Sequence, residues 1–460
     1  MNARIRISIF LFLLFLLSNS PLKAQNVDSV MIRKIFSYEL LNGNCYQNLT
    51  HLCTGIGSRL SGSPQAAEAV RWTKELMESY GFDTVFLQPV MVPHWVRGEK
   101  ETAKIFSSVK TKKPNILALG NSVGTGKKGI HGRVVEVKSF SQLDSLGERN
   151  VKDRIVFFNH RMDPTLISTG QAYGEVGFQR FRGPARASRL GAIGVIVRSL
   201  TTGIDDYPHT GATSYDDSIP KIPAIAISTL DAEELSSLLK KDPSLEFFFR
   251  ANCQKLEDVL SYNVIGEIRG SDFPGEIIDI GGHLDSWDPG QGAHDDGTGC
   301  MQAVEVLHIL KNMNYHPKRT LRAVMFMNEE NGLRGGKKYA ESALEKKEKH
   351  IAAIESDSGG FSPRGFGMGA DDPKTQKFQG WAYLFRPYRI YEFNKGGGGA
   401  DISPMSKSGV PIIGFEPDEH KYFKYHHTSI DKIEAVDQRE LELGAAAITA
   451  VVYLIDKNGL

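Results

Sequence analysis

The stretch EIIDIGGHLDSWDPGQGAHDDGTG, Glu276 to Gly299, decides how the rest of the chain is read. Ile277, Ile278 and Ile280 are a short β-branched run that predicts a strand, and Gly281-Gly282 at its end leaves room for backbone or ligand to come close. Side chains alternate along a strand, so His283 and Asp285 point the same way, and one can bind a metal while the other supports it. Further on, Asp295-Asp296-Gly297 precedes Cys300, Ala303, Val304, Leu307 and Leu310, whose spacing predicts an amphipathic helix with a carboxylate at its start. Taken singly, each residue reads as a solvated turn or a cap. Clustered, they read as the core of a metal site.

The chain has 460 residues, 41% of them hydrophobic, which is enough for at least one sizeable core. Residues 1–24 join Arg4 and Arg6 to an apolar run from Ile7 to Leu17 and then to Ser18, Ser20 and Ala24, the layout of a secretory signal peptide cleaved after Ala24. That run is too short to span a bilayer comfortably, and no second apolar stretch of about 18 residues follows. Export to the periplasm or the extracellular space is expected, with no membrane attachment after cleavage. Losing Arg4, Arg6 and Lys23 leaves the chain slightly acidic, so nothing calls for nucleic acid or an anionic surface. The 4 cysteines, Cys45, Cys53, Cys253 and Cys300, are too few for a disulfide scaffold. On one helix, Cys45 and Cys53 would lie about 12 Å apart, beyond disulfide reach.

In chain order, Asp28 to Leu41 and Pro64 to Tyr80 carry helical spacing, and Ser63-Pro64 makes a good helix entrance. Val85 to Val92 and Ile116 to Leu119 read as strands, and Asn121 to Gly129 shifts to linker composition. Its Gly126-Lys127 pair is not a phosphate loop, because Asn121 stands at the first glycine position and Lys128 where Ser or Thr is needed. From about Ile130 to Ser261 come short strands at Arg133 to Val137, Arg154 to Phe158, Ile193 to Val197 and Ile222 to Ile227, with helices near Arg186 to Leu190 and Ala232 to Leu239. This block holds no comparable His, Asp and Glu cluster and reads as a small module without chemistry of its own. Strand and helix alternation resumes from Val264, with Leu321 to Met327 and Ile351 to Ile354 as buried strands. The expected division is 1–24 leader, 25–125 and 262–460 one α/β domain, and 126–261 an insert.

Three later sites complete the set begun at His283. Asn328, Glu329 and Glu330 end one strand, Asp357 follows another, and Tyr425-His426-His427-Thr428 precedes Asp431. Ligands of open α/β sheets gather at the carboxyl ends of strands, so these sites can converge. Two histidines and three acids suit a pair of zinc ions that share one carboxylate. Asp295, Glu330 and Asp357 would repel one another without metal; two divalent ions reverse the sign and can activate a water and polarise a carbonyl. Glu329 would be free to take a proton from that water and hand it to a leaving amine.

GGHLDSWDPGQGAHDDGTG, NEENGLRGG, AIESDSGG, GGGGADISP and YHHTSID closely resemble the di-zinc exopeptidases of metallopeptidase family 28, in their carboxypeptidase Q branch. The resemblance runs from about Gly57 to the C-terminus, and in the insert GAIGVIVRS and PKIPAIAIS look like a protease-associated (PA) domain. It implies a three-layer α/β/α zinc-peptidase domain with a mixed sheet, interrupted by a β-rich PA-like module. It also implies His283 and Asp357 on one zinc, Glu330 and His427 on the other, and Asp295 bridging. Glu329 matches the general base and Asp285 the acid that orients His283, and a cis peptide is implied at Asp295-Asp296. His427 is preferred to His426 because it adjoins Thr428, and His294 has no counterpart among the ligands. Gly396 to Gly399 with Asp401 reads as a loop beside the site.

The function so implied is an exported zinc exopeptidase that hydrolyses terminal peptide bonds of short peptides or dipeptides, with the insert limiting substrate length and a homodimer left open. Two rival readings share the scaffold. A glutaminyl cyclase would transfer rather than hydrolyse, and the insert and the full ligand set argue against it. A transferrin-receptor-like binding protein keeps the fold and loses ligands, whereas none is missing here.

Overall fold

The computed structural model describes residues 27–369 and 373–460, so the leader at 1–24 lies outside the described residues. Two mixed sheets of eight strands organise the chain. The first has the order Thr84–Val96, Gln254–Ile268, Arg319–Phe326, Phe273–His283, Lys349–Glu355, Ile412–Pro417, Pro363–Met368 and Glu392–Lys395. The four strands Arg319–Phe326, Phe273–His283, Lys349–Glu355 and Ile412–Pro417 pair in parallel, and their neighbours on either side are antiparallel. Their apolar runs are continuous rather than alternating because helices cover both faces. Pro64–Ser79, Thr298–Asn312 and Gln438–Asn458 pack on one face around Ile278, Ile280, Leu321 and Ala323, while Tyr339 and Ala340 of Arg334–Lys346 meet Val324 and Phe326 on the other. The result is the expected three-layer α/β/α arrangement.

One helix differs from the sequence reading and another escapes it. Thr298–Asn312 is not amphipathic: every residue from Thr298 to Leu310 is buried, because it is wedged between the sheet and the helices Val27–Asn42, Cys45–His51 and Gln438–Asn458. Gln438–Asn458 has no clear sequence period for the same reason, its AAAITAVVYLID stretch being buried all round. Cys300 lies in this core, and all four cysteines are buried and free.

The second sheet runs Thr111–Lys112, Thr102–Phe106, Glu246–Arg250, Ile130–Val137, Ile155–Phe158, Gly194–Arg198, Ala224–Ile227 and Ile116–Ala118. It takes in strands from Thr102 onward, ahead of the composition shift near residue 126. Four consecutive strands from Ile130–Val137 to Ala224–Ile227 are parallel, with Thr229–Lys241 on one face and Phe140–Val151 on the other. Phe140–Val151 escapes sequence reading because Gly147, at φ 65°, interrupts it and only Leu143 and Val151 are buried. The chain leaves and regains the first sheet through one antiparallel ribbon, in which Val96 is the partner of Gln254. Among the described residues no helix is long and apolar enough to cross a membrane.

The central strands share one direction, so their carboxyl ends lie on one edge of the sheet. His283 is the last residue of its strand, Glu329 and Glu330 follow Arg319–Phe326, and Asp357 follows Lys349–Glu355.

Candidate active site

Gly281 and Gly282 let two backbones meet behind His283: a Cβ on Gly282 would stand 2.3 Å from Asp296 Oδ2 and 2.9 Å from the Cys300 amide. Asp296 accepts the amides of His283 at 3.0 Å and Gly299 at 2.9 Å, pinning the strand end to the helix start. The peptide between Asp295 and Asp296 is cis, as the resemblance implies. Arg59, fully buried, donates to the carbonyls of Leu284 (2.5 Å), Gln291 (2.7 Å) and Gly292 (2.9 Å), and so fixes the loop between His283 and Asp295 from outside. Asp431 accepts the amides of His294 at 2.8 Å and Asp295 at 3.2 Å.

These supports bring the five expected ligands together. His283 Nε2 lies 3.2 Å from Asp295 Oδ1 and 3.4 Å from Asp357 Oδ1. His427 Nε2 lies 3.2 Å from Asp295 Oδ2 and 3.2 Å from Glu330 Oε2. Asp295 therefore turns one oxygen to each histidine. His283 Nδ1 donates to the Asp285 main-chain carbonyl at 2.9 Å, leaving Nε2 for the pocket, while the Asp285 carboxylate is 3.9 Å away. That carboxylate instead accepts the amides of Asn328 at 2.7 Å and Glu329 at 3.0 Å. Trp287 donates its amide to Glu330 Oε1 at 3.1 Å and leaves Oε2 facing His427.

His426 stacks on His427 with ring centroids 3.5 Å apart, but its Nε2 is 3.9 Å from Asp295. His294 is turned away; its ring nitrogens meet the Gly360 amide and the Ala435 carbonyl, each at 3.2 Å. Asp401 lies buried behind the site, where its amide and that of Ile402 donate to Glu355.

Burial pushes the Glu330 carboxyl up to about 7 and also raises Glu329. For His427 burial acts downward, but Glu330 and Asp295 outweigh it and hold the imidazole at about 10. His283 is likewise raised, Asp357 and Asp295 overcoming burial. The acids thus pull positive charge onto His283 and His427, whereas burial and the neighbouring His427 hold His426 down. A divalent cation would answer the same pull while leaving both imidazoles neutral. The donor set fits such an ion: two imidazole nitrogens and carboxylate oxygens at 3.2–3.4 Å from one another, against the roughly 3.3 Å edge of a tetrahedral zinc site. Asp295 Oδ2 and Asp357 Oδ1 are buried with no hydrogen-bond donor.

Asp295, Glu330, Asp357 and His427 line a cleft of about 870 Å³ together with Glu329 and with Tyr173, Arg180 and Thr213 from the second-sheet segment. That segment, expected to carry no chemistry, reaches the metal pocket: the Thr210 carbonyl meets His427 Nδ1 at 3.2 Å. Arg59, Thr210 and Arg180 were not foreseen as site residues. Only the glycine at 211, beside His209-Thr210, hinted at a close approach.

Residues 263–452 match peptidase family M28. Carboxypeptidase Q of Bos taurus is 32% identical over 418 residues, which are 91% of this chain and 86% of that protein; carboxypeptidase Q of Xenopus laevis is 34% identical over 410 residues, 89% and 85% of the two. The chain belongs to peptidase family M28. A crystal structure of a peptidase M28 precursor from Shewanella amazonensis superposes with a TM-score of 0.89 at 31% identity, covering 94% of this chain and 97% of that one. BSAP, a zinc aminopeptidase from Bacillus subtilis, shares the fold at a TM-score of 0.63 and 19% identity, covering 89% and 94%. M28 membership over nearly the whole length makes this chain a metallo-exopeptidase.

Proposed function

We propose that the chain is an exported di-zinc exopeptidase that cleaves dipeptides or a terminal residue from short peptides. In this reading His283 and Asp357 hold one zinc, Glu330 and His427 the other, and Asp295 bridges them. The observation that carries it is Asp295, whose two oxygens face two different histidines at 3.2 Å each. When bound, the two ions would supply the Lewis acidity that activates a water and polarises the peptide carbonyl.

The remaining work falls to side chains. Glu329, raised by burial, takes the proton of the attacking water and delivers it to the departing amine nitrogen. Asp285 holds the Glu329 backbone through its carboxylate and His283 through its carbonyl. The PA-like insert reaches back past the expected boundary at 126 to take in the second-sheet strands from Thr102, and its wall along the cleft bounds substrate length. Residues 1–24 direct export to the periplasm or beyond, and the mature protein works as a monomer or a homodimer.

The test is product analysis on a panel of dipeptides and tripeptides, with and without a chelator. Free amino acids should appear from one end only and stop when zinc is stripped. Hydrolysis that survives full chelation would sink the reading, and a cyclised product from a Gln-initiated peptide would favour the acyltransferase instead.

A further inference from the structure

We propose that the loop His209–Gly211, carried by the second sheet, is a working part of the metal centre: it orients His427, and the metal on the His427 side is held tightly only while this loop is docked. The inference rests on His427 being a metal ligand.

Thr210 grips His427 at two points. Its amide donates to the His427 carbonyl at 3.1 Å, and its carbonyl meets His427 Nδ1 at 3.2 Å. Backbone and ring of His427, a non-glycine residue at φ 62°, are thus set by one residue 217 positions away. Arg180 comes in beside that contact. Its Nη1 lies 3.3 Å from Nδ1 and donates to the same Thr210 carbonyl at 3.4 Å. A carbonyl can only accept, so the Thr210 contact puts the ring proton on Nδ1 and leaves the Nε2 lone pair facing Asp295 and Glu330, while Arg180, which can only donate, is a second donor to the same carbonyl. Arg180 is itself held by the Tyr173 hydroxyl.

Gly211 shows how tight the contact is. At φ 122°, a Cβ there would stand 2.5 Å from Arg180 Cζ and 2.6 Å from His427 Nδ1, so any side chain would wedge the two apart. The loop also moves with its own sheet. The Thr210 hydroxyl donates to the Ala118 carbonyl at 2.8 Å, the His209 amide to Ser199 Oγ at 2.8 Å, and the Gly120 amide to the Gly211 carbonyl at 3.0 Å. On the other side of Asp295, His283 is oriented by Asp285 of its own loop. One metal position is self-contained in the first sheet, while the other is assembled from both.

Outer partners of ligating histidines are worth about 10–100-fold in metal affinity. The experiment titrates zinc into the metal-free full-length protein against a competing chelator, for wild type, Gly211→Ala, Arg180→Gln, Arg180→Lys and His427→Ala, with thermal melting as the check on folding. Expected are two affinities in wild type; the one that His427→Ala abolishes falls about 10–100-fold in Gly211→Ala and Arg180→Gln and partly recovers in Arg180→Lys, while the other is unchanged throughout. Should Gly211→Ala fail to fold, Arg180→Gln decides by the same readout. If His427→Ala loses one site while the folded loop variants keep wild-type affinities, the inference is overturned and the metal reading stands. If His427→Ala keeps both sites, the ligand assignment itself fails and the inference with it.

Discussion

The Asp285 carboxylate holds the main chain of Glu329: Oδ1 accepts the Glu329 amide at 3.0 Å and that of Asn328 at 2.7 Å. Asn328 sits at φ 76°, and its side-chain amide donates to Ser61 and Asn331, so the turn that aims Glu329 at the cleft is fastened on both sides. Because the Asp285 carbonyl also takes His283 Nδ1, one residue ties the proposed ligand His283 to the proposed proton carrier Glu329.

Replacing Asp285 by Ala should therefore hurt turnover more than metal binding. Two buried amides lose their acceptor, at about 1–3 kcal/mol each, while the carbonyl that orients His283 remains. The expected result is a lower melting temperature and a fall in kcat with KM little changed. An unaltered kcat in the folded variant would contradict the tie.

Glu329→Gln keeps shape and removes the proposed base. Turnover on a good dipeptide should drop by about 10²–10⁴-fold, the range for a positioned acid–base group, with zinc content equal to wild type. Zinc loss in parallel with activity would instead make Glu329 a ligand.

Arg59→Met tests the loop anchor. It removes three charge-assisted bonds to the carbonyls of Leu284, Gln291 and Gly292, and should lower stability by roughly 3 kcal/mol or more. Denaturant unfolding reads the loss; a midpoint within error of wild type would show that the loop holds itself.

Stability should also fall on the alkaline side because of a pair outside the cleft. His350 Nδ1 lies 2.5 Å from Asp279 Oδ2, with the Tyr339 hydroxyl on the other oxygen at 2.6 Å. Burial would depress this imidazole, but Asp279 and Glu348 outweigh it and hold it at about 9. A histidine raised above its unfolded value of about 6.5 contributes fully below that pH and loses its contribution as pH rises through 9, a span worth on the order of 3 kcal/mol. Melting temperature followed from pH 6 to 10 should decline in wild type and flatten in His350→Gln. Equal slopes would rule the pair out as the cause.

What could be read from residue order was the part of the design written in side chains at strand ends. His283, Glu330 and Asp357 each follow a β-branched or apolar run, and the parallel pairing of those runs brings them to one edge. What could not be read acts through the main chain or through burial. Thr210 contributes only its peptide group to His427, so no residue type announces it. Arg59 sits in GSRLSGSP, which looks like an ordinary surface turn, yet it is fully buried against carbonyls. Thr298–Asn312 and Gln438–Asn458 lack a readable polar face because they shield each other from water.

The pairing of Val96 with Gln254 has a consequence for protein engineering. Everything between those residues hangs from adjacent, oppositely directed strands, so both cut points are neighbours in space. A two-residue reverse turn could join them, and the excised block could be exchanged for a relative's as a cassette. Such a chimaera would keep all five proposed ligands and take from the donor the loop that orients His427.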